Sequence, residues 1–412
     1  MLKAIDSEAI LKKYFICWKI LGQTTDGNTM LCGLYDVLLN ICITIFFPLH
    51  LTIGLLNASN TQADIFKGLA LNLTSLSCSV KLFFYRRKLE QMQAVGIIFS
   101  QLDQRIQHQE ERVYFTLKIR RDAYRLINTF FVLFMATMIL AFSGVISAER
   151  HLLFAGWLPL DCVGLQIIQN YANDVYAPLT LCMLAGHVQI LAMRLRRVGY
   201  EERNPQELVR CINDWQHIIK IYNILQDSIS RSMFTQFTMS GLNICVVIIY
   251  LLFYAEEYFD FIFFTVYLAA LLSEVFACCF YASLIDEQLQ KFPYAIFSCN
   301  WMEQDRSFRK NVAIFSAMSI RDVRMTAGGM MQINLETFLE TCKLAYSLFK
   351  NALPSYLHTF IITNILFIFR MYCMLKIYCR KKKTKSSTFT ELWSKRNFSG
   401  SQRLGQSNLL SQ

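Results

Sequence analysis

Residues 261–283 read FIFFTVYLAALLSEVFACCFYAS, 23 positions with Glu274 as the one residue charged at neutral pH in water. As an α-helix this run is about 35 Å long, enough to cross the roughly 30 Å hydrocarbon core of a bilayer. Working outward, comparable apolar runs fall at 34–56, 66–85, 126–147, 171–193 and 238–254, with a less apolar one at 330–349. A backbone facing lipid must satisfy its own hydrogen bonds, so each run is expected to be helical. Ten-residue segments of alternating polarity, the mark of a membrane β-barrel, do not occur. Composition agrees: 54% of the 412 residues are hydrophobic and 17% charged, against about 25% charged in a soluble domain. With 33 Phe and 19 Tyr, intrinsic disorder is excluded. The expected class is an all-α polytopic membrane protein with seven transmembrane helices, a cytoplasmic N-terminus and a possible eighth hydrophobic segment at the C-terminus.

Orientation follows from Lys and Arg in the connecting segments. The segments up to residue 33 and at 86–125, 194–231 and 286–329 hold 26 of them, against 3 in 57–67, 147–170, 254–262 and 349–356. The first group is therefore assigned to the cytoplasm. Asn57, in Asn57-Ala58-Ser59, then lies outside as a glycosylation candidate, whereas a second such match at Asn72 falls inside a span. No cleavable signal peptide is expected, since Lys3, Lys12, Lys13 and Lys19 leave no apolar core between them. The start reads instead as a short amphipathic segment with Ile10, Tyr14, Cys17 and Trp18 on one side.

The net charge of +11 does not indicate nucleic-acid binding. Residues 370–412 hold ten basic side chains against Glu391, which accounts for +9, and the remainder is nearly balanced. The 14 Cys show no Cys-x-x-Cys pair and the six His are scattered, so neither a metal nor another cofactor is expected. Nucleotide-binding and nucleophile-elbow strings are absent, which argues against an enzyme.

Residues 205–231 place Leu208, Ile212, Trp215, Ile219 and Tyr222 on one face of a helix below the fourth span. A buried stripe below the bilayer needs a partner, either this bundle or another subunit. Trp215, Asn300 and Trp301 are the candidates for assembly. In the last span Glu336, Glu340, Lys343 and Ser347 recur at spacings of four, three and four, with Lys350 and Asn351 beyond. Ionisable groups at membrane depth are costly and mostly face a bundle interior or a water path. The stripe is expected to line water or a subunit interface, or else to seal the bundle through Glu–Lys pairs. Gly328 and Gly329 suit a break just before it.

The stretch 292–350 resembles the C-terminal signature of insect odorant receptors. The resemblance rests on Tyr294-Ala295-Ile296, Ser298, Asn300-Trp301, Asp305, Phe308-Arg309-Lys310, Thr326-Ala327-Gly328, Leu335-Glu336-Thr337-Phe338 and Ala345-Tyr346-Ser347. Trp157-Leu158-Pro159 and the run from Ala172 to Pro178 are similar to a fly-type member. The resemblance implies an odorant-gated, non-selective cation channel, a heterotetramer with a shared co-receptor subunit, in the cell membrane of olfactory neuron dendrites. It implies a pore lined by the last helix through Glu336, Glu340, Lys343, Ser347 and Asn351. It also implies a site for a small volatile odorant in the outer half, for which Leu73, Phe142, Ile146, Tyr176 and Tyr267 are candidates. The domains expected are a cytoplasmic segment 1–33, a six-helix ligand-binding bundle 34–285, a cytoplasmic anchor helix and pore-lining span 286–353, and an atypical hydrophobic and basic tail 354–412. The family ordinarily ends near residue 353. Three other readings stay open: a gustatory-type receptor channel; a G-protein-coupled receptor, which the inside N-terminus and the lack of Asp-Arg-Tyr and Asn-Pro-x-x-Tyr disfavour; and a transporter, which the lack of an internal repeat disfavours.

Overall fold

A computed structural model describes residues 5–22, 37–38, 40–55, 61–146, 160–200, 205–320 and 324–351. Helix α1 (Ser7–Ile20) is capped by Asp6, whose carboxylate accepts from the Ala9 amide at 2.7 Å. A π-helical turn, Cys42–Phe46, leads into α2 (Phe47–Leu55). Helix α3 (Gln62–Arg86) opens with a capping box in which Thr61 and Asp64 bond reciprocally to each other's backbone. Then come α4 (Leu89–Gln104) and α5 (Gln109–Tyr114), a second π-helical turn at Phe115–Arg120, and α6 (Arg121–Ile146). Helices α7 (Leu160–Leu195), α8 (Pro205–Phe253) and α9 (Tyr258–Ile296) are the longest, followed by α10 (Arg306–Ser319). A hairpin of β1 (Thr326–Ala327) and β2 (Met331–Gln332) precedes α11 (Leu335–Asn351).

Among the described residues, four stretches are long and apolar enough to cross a membrane: Gln109–Ser143, Gly164–Leu195, Gln206–Phe253 and Tyr258–Ile296. A shorter apolar helix runs Cys42–Leu55. These make the chain an all-α polytopic membrane protein. By contacts it divides into Met1–Phe349 and Lys350–Gln412, and of the second unit only Lys350 and Asn351 are described. Asn57 and residues 352–412 lie outside the described residues.

Helix α7 is the hub. It packs against α1, α3, α6, α8 and α9, and Ala172, Val175, Tyr176, Leu179 and Met183 have no exposed surface. Helix α1 docks on it through Ile10, Leu11, Tyr14 and Trp18, each at most 2% exposed. The Tyr14 hydroxyl donates to the Ala172 carbonyl, and the Trp18 indole N–H donates to Tyr14 at 2.7 Å. The amphipathic stripe of 205–231 does not end in a separate cytoplasmic helix. It runs on without a break into the fifth apolar run, so α8 is one helix of 49 residues. Nothing within it breaks the pattern: no Pro follows Pro205, and Gly241 is tolerated at a helix crossing where a Cβ would meet the Thr341 methyl at 3.6 Å.

The C-terminal end of α7 and the N-terminal part of α8 are tied by largely buried ions. Arg194 donates to Asp214 at 2.6 Å and to Glu111 at 2.9 Å, while Arg105 reaches Glu207 at 2.6 Å and Asp214 at 3.2 Å. Bidentate arginines hold such carboxylates well because their donors form a rigid fork.

Candidate ligand cavity and exposed polar stripe

Lysine, glutamate and glutamine inside the bundle set the floor of the site. The Lys81 ammonium on α3 lies 2.5 Å from Asp174 on α7 and 2.5 Å from the Gln236 carbonyl on α8. Gln236 in turn donates to Glu274 on α9 at 2.9 Å. Lys81 and Asp174 are 2% and 8% exposed. Charges this deep persist only when paired and hydrogen-bonded, so four helices are tied together at one level. Toward the N-terminal end of α3, Thr74 bonds to Tyr267, and Asn243 donates to both, at 2.6 and 2.9 Å.

Above this floor is a cavity of about 70 Å³. Its walls are mostly apolar: Phe47 and Leu51 from α2, Leu71 from α3, Phe134 and Ala141 from α6, and Phe263 and Ala270 from α9. Its polar lining comprises Thr74, Ser75, Thr137, Gln166, Asn170, Tyr267 and Glu274. An apolar chamber with a few convergent polar groups is the usual form of a small-molecule site.

Of the sequence-derived ligand residues, Tyr267 lines this cavity and Leu73 lines a smaller cleft beside it that also touches Lys81 and Gln236. Tyr176 belongs elsewhere. It is fully buried against Tyr14 and Tyr85, with ring centroids at 6.1 and 5.9 Å, because α1 folds back over that part of α7. Phe142 is half-buried and its neighbour Ala141 turns to the cavity instead. Ile146 ends α6, with its side chain outside the described residues. The sequence reading missed Lys81, Ser75 and Gln166. A lone lysine inside an apolar run was the available signal, since such a residue must find an acid.

Helix α11 separates into two faces. Thr337, Phe338, Thr341 and Ala345 are buried against the bundle, with Phe338 edge-on to Phe276 at 5.4 Å. Glu336, Glu340, Lys343 and Ser347 are exposed, and among the described residues none forms a salt bridge. Among the described residues the stripe thus faces away from the bundle contacts made by Thr337, Phe338, Thr341 and Ala345. The side chain of Asn351 lies outside the described residues. The entry to α11 is fixed by its neighbours. Gln226 on α8 donates to the Thr326 carbonyl at 2.9 Å and hydroxyl at 2.8 Å, and accepts from the Thr326 amide at 3.0 Å. Gly328 and Gly329 turn the hairpin with φ of +60° and +74°, a region that L-residues with a Cβ rarely adopt. Asn334 caps the helix by accepting from the Thr337 amide at 2.8 Å.

The assembly candidates divide. Trp215 is 3% exposed and stacks on Phe292 of the same chain at 4.1 Å, with Phe315 edge-on at 6.4 Å. Its stripe is thus covered by α9 and α10, and Trp215 is not free for another subunit. Asn300 pins its own loop: its amide donates to the Val198 carbonyl at 3.1 Å and its side chain to Glu303 at 2.7 Å. Trp301 is half-buried beside the exposed side chains of Phe297 and Met302.

A family model described as 7tm odorant receptor matches residues 61–346. Odorant receptor 33b of Drosophila melanogaster is 34% identical over 377 residues, covering 85% of this chain and 98% of that protein. Odorant receptor 33a of the same fly is 33% identical over 374 residues, with the same coverage of both chains. Among solved structures, the insect olfactory receptor OR5 from Machilis hrabei superposes with a TM-score of 0.69 at 14% identity, covering 83% of this chain and 97% of that one. The same receptor in complex with eugenol gives 0.70 at 13% identity, covering 82% and 96%.

Proposed function

Since this chain belongs to the 7tm odorant receptor family, we propose that it is the odorant-tuning subunit of a ligand-gated, non-selective cation channel. It assembles with a shared co-receptor into a heterotetramer in the dendritic membrane of olfactory sensory neurons. A volatile odorant occupies the cavity among α2, α3, α6, α7 and α9. Cations pass along the exposed face of α11.

The observation that carries this reading is the polarity of α11. A helix with Glu336, Glu340, Lys343 and Ser347 on the face turned away from its own bundle needs water or a subunit beside it. A pore formed where several such helices meet supplies both. The apolar cavity supports the receptor half of the reading, since a volatile gains most of its affinity from leaving water. Seven spans with a cytoplasmic N-terminus fit the charge distribution, and Asn57 then faces outside as a glycosylation site. Trp301, with Phe297 and Met302 around it, is the apolar patch best suited to meet the co-receptor on the cytoplasmic side.

The test is heterologous expression with and without an insect odorant co-receptor, with an odour panel and whole-cell recording. Odorant-evoked current is expected only with both subunits. In the same cells Trp301→Ala is expected to lower co-purification of the partner. A response carried by this chain through a soluble second messenger, with no current in excised patches, contradicts the channel reading.

A further inference from the structure

The polar groups lining the cavity are not equivalent. Thr74 is engaged with Tyr267 and Asn243, Thr137 donates to the Phe134 carbonyl at 2.8 Å, and Glu274 accepts from Gln236 at 2.9 Å. The Asn170 side-chain oxygen accepts from the Cys78 thiol. Two side chains differ. Gln166 is 7% exposed, and among the described residues neither its amide oxygen nor its amide nitrogen has a partner. Ser75 is 1% exposed, and its hydroxyl also lacks one among them. An unpaired polar group buried in apolar surroundings is unfavourable, and it gains the most when a matching group arrives.

We infer that this cavity selects compact odorants bearing a hydroxyl group, with Gln166 as the specificity-determining residue and Ser75 assisting it. The inference rests on the reading that the cavity is the odorant site. A hydroxyl donates one hydrogen bond and accepts others. It can therefore donate to the Gln166 carbonyl while accepting from the Gln166 amide or the Ser75 hydroxyl. A ketone or ester only accepts, and leaves the Gln166 oxygen unpaired. An ammonium only donates, and leaves the Gln166 N–H unpaired. A hydrocarbon leaves all three atoms as they are. Sites built around a buried hydrogen-bonding group reject analogues lacking the match more strongly than apolar walls reject a missing methylene. The carbon skeleton is held by Phe134, Ala141 and Phe263, which set its size.

The test uses the full chain co-expressed with the co-receptor. The probes are alcohols, ketones, primary amines and hydrocarbons of four to eight carbons, compared only within the same linear or cyclic skeleton. In the wild type, the alcohol is expected to act at about tenfold lower concentration than its ketone, as one added neutral hydrogen bond allows. In Gln166→Leu that ratio is expected to fall to about one, and in Ser75→Ala to shrink. The readout is a ratio within each variant, so poor surface delivery does not imitate it. An unchanged ratio in Gln166→Leu overturns the inference, as does a wild type that prefers the ketone, the amine or the hydrocarbon. A panel silent in the wild type overturns it too. Ala141→Phe, which fills the cavity, separates this from the underlying reading. If Ala141→Phe leaves every response intact, the cavity is not the odorant site.

Discussion

The Lys81 ammonium sits 2.5 Å from Asp174 Oδ1, joining α3 to α7 directly beneath the cavity. The pair is almost fully buried, with side-chain exposures of 3% and 5%. Removing one partner leaves the other charge uncompensated, at a cost of about 3–5 kcal/mol. Lys81→Met is therefore expected to lower the thermal stability of the solubilised protein sharply. Lys81→Met combined with Asp174→Leu should recover much of the loss. A double variant as unstable as the sum of the two singles would show that the pair contributes through something other than mutual compensation.

Asp103 gives the docking of α1 a pH dependence. Its carboxyl accepts from the Ser7 amide at 2.6 Å and the Ser7 hydroxyl at 3.0 Å, beside His187. Burial pushes it up to about 7, against an ordinary value near 3.8, and the Ser7 hydrogen bonds only partly offset this. The folded protein thus binds more protons than the unfolded one between those values. By linkage its contribution is most favourable at low pH and declines as pH rises through about 4 to 7. Hydrogen exchange of residues 7–20 is expected to be slower, after correction for intrinsic rates, at pH 6 than at pH 8. Asp103→Asn should flatten the difference. Equal corrected protection at both values in the wild type would refute this.

The exposed and covered faces of α11 predict a reactivity pattern. Cysteine at 340, 343 or 347 should react with a water-soluble thiol reagent and alter odorant-evoked current. Cysteine at 341 or 345, on the face buried against the bundle, should not. The opposite pattern would mean that the helix is rotated in the assembled channel.

Gly328 connects α11 to α8 through close backbone contact. Its amide donates to the Ser230 carbonyl at 3.0 Å, and an added Cβ would lie 3.1 Å from the Phe234 ring. With φ at +60° a β-branched residue is strained as well. Gly328→Val is expected to destabilise the protein by about 1–3 kcal/mol, read as a lower melting temperature. Gly329→Ala, with nothing within 4 Å of the added carbon, should cost less.

What the sequence disclosed and what it concealed divide by range. Apolar runs and the Glu336–Ser347 stripe are periodic and local, so they were legible at helical spacing. Lys81 and Asp174 are 93 residues apart, and no local pattern announces their pairing. Helix register decides which residue faces a cavity. That is why Ala141 lines it and Phe142 does not, and why Tyr176 packs under α1 instead. Trp215 looked unpartnered because the Phe292 and Phe315 that cover it come from α9 and α10, far along the chain. Gln166 carried no periodic signal; only its lack of partners in three dimensions distinguishes it.

We propose that ions pass along α11 of this chain when an odorant is bound. Reversal potential under asymmetric cation solutions tests it most directly, because permeability ratios depend on charge at the pore wall and not on expression level. Odorant-evoked currents should be compared for the wild type, Glu340→Lys and Lys343→Glu, each with the same co-receptor. The two reversal potentials are expected to move in opposite directions, with divalent permeability lowered by Glu340→Lys and raised by Lys343→Glu. Identical reversal potentials for all three, with robust current in each, would contradict it.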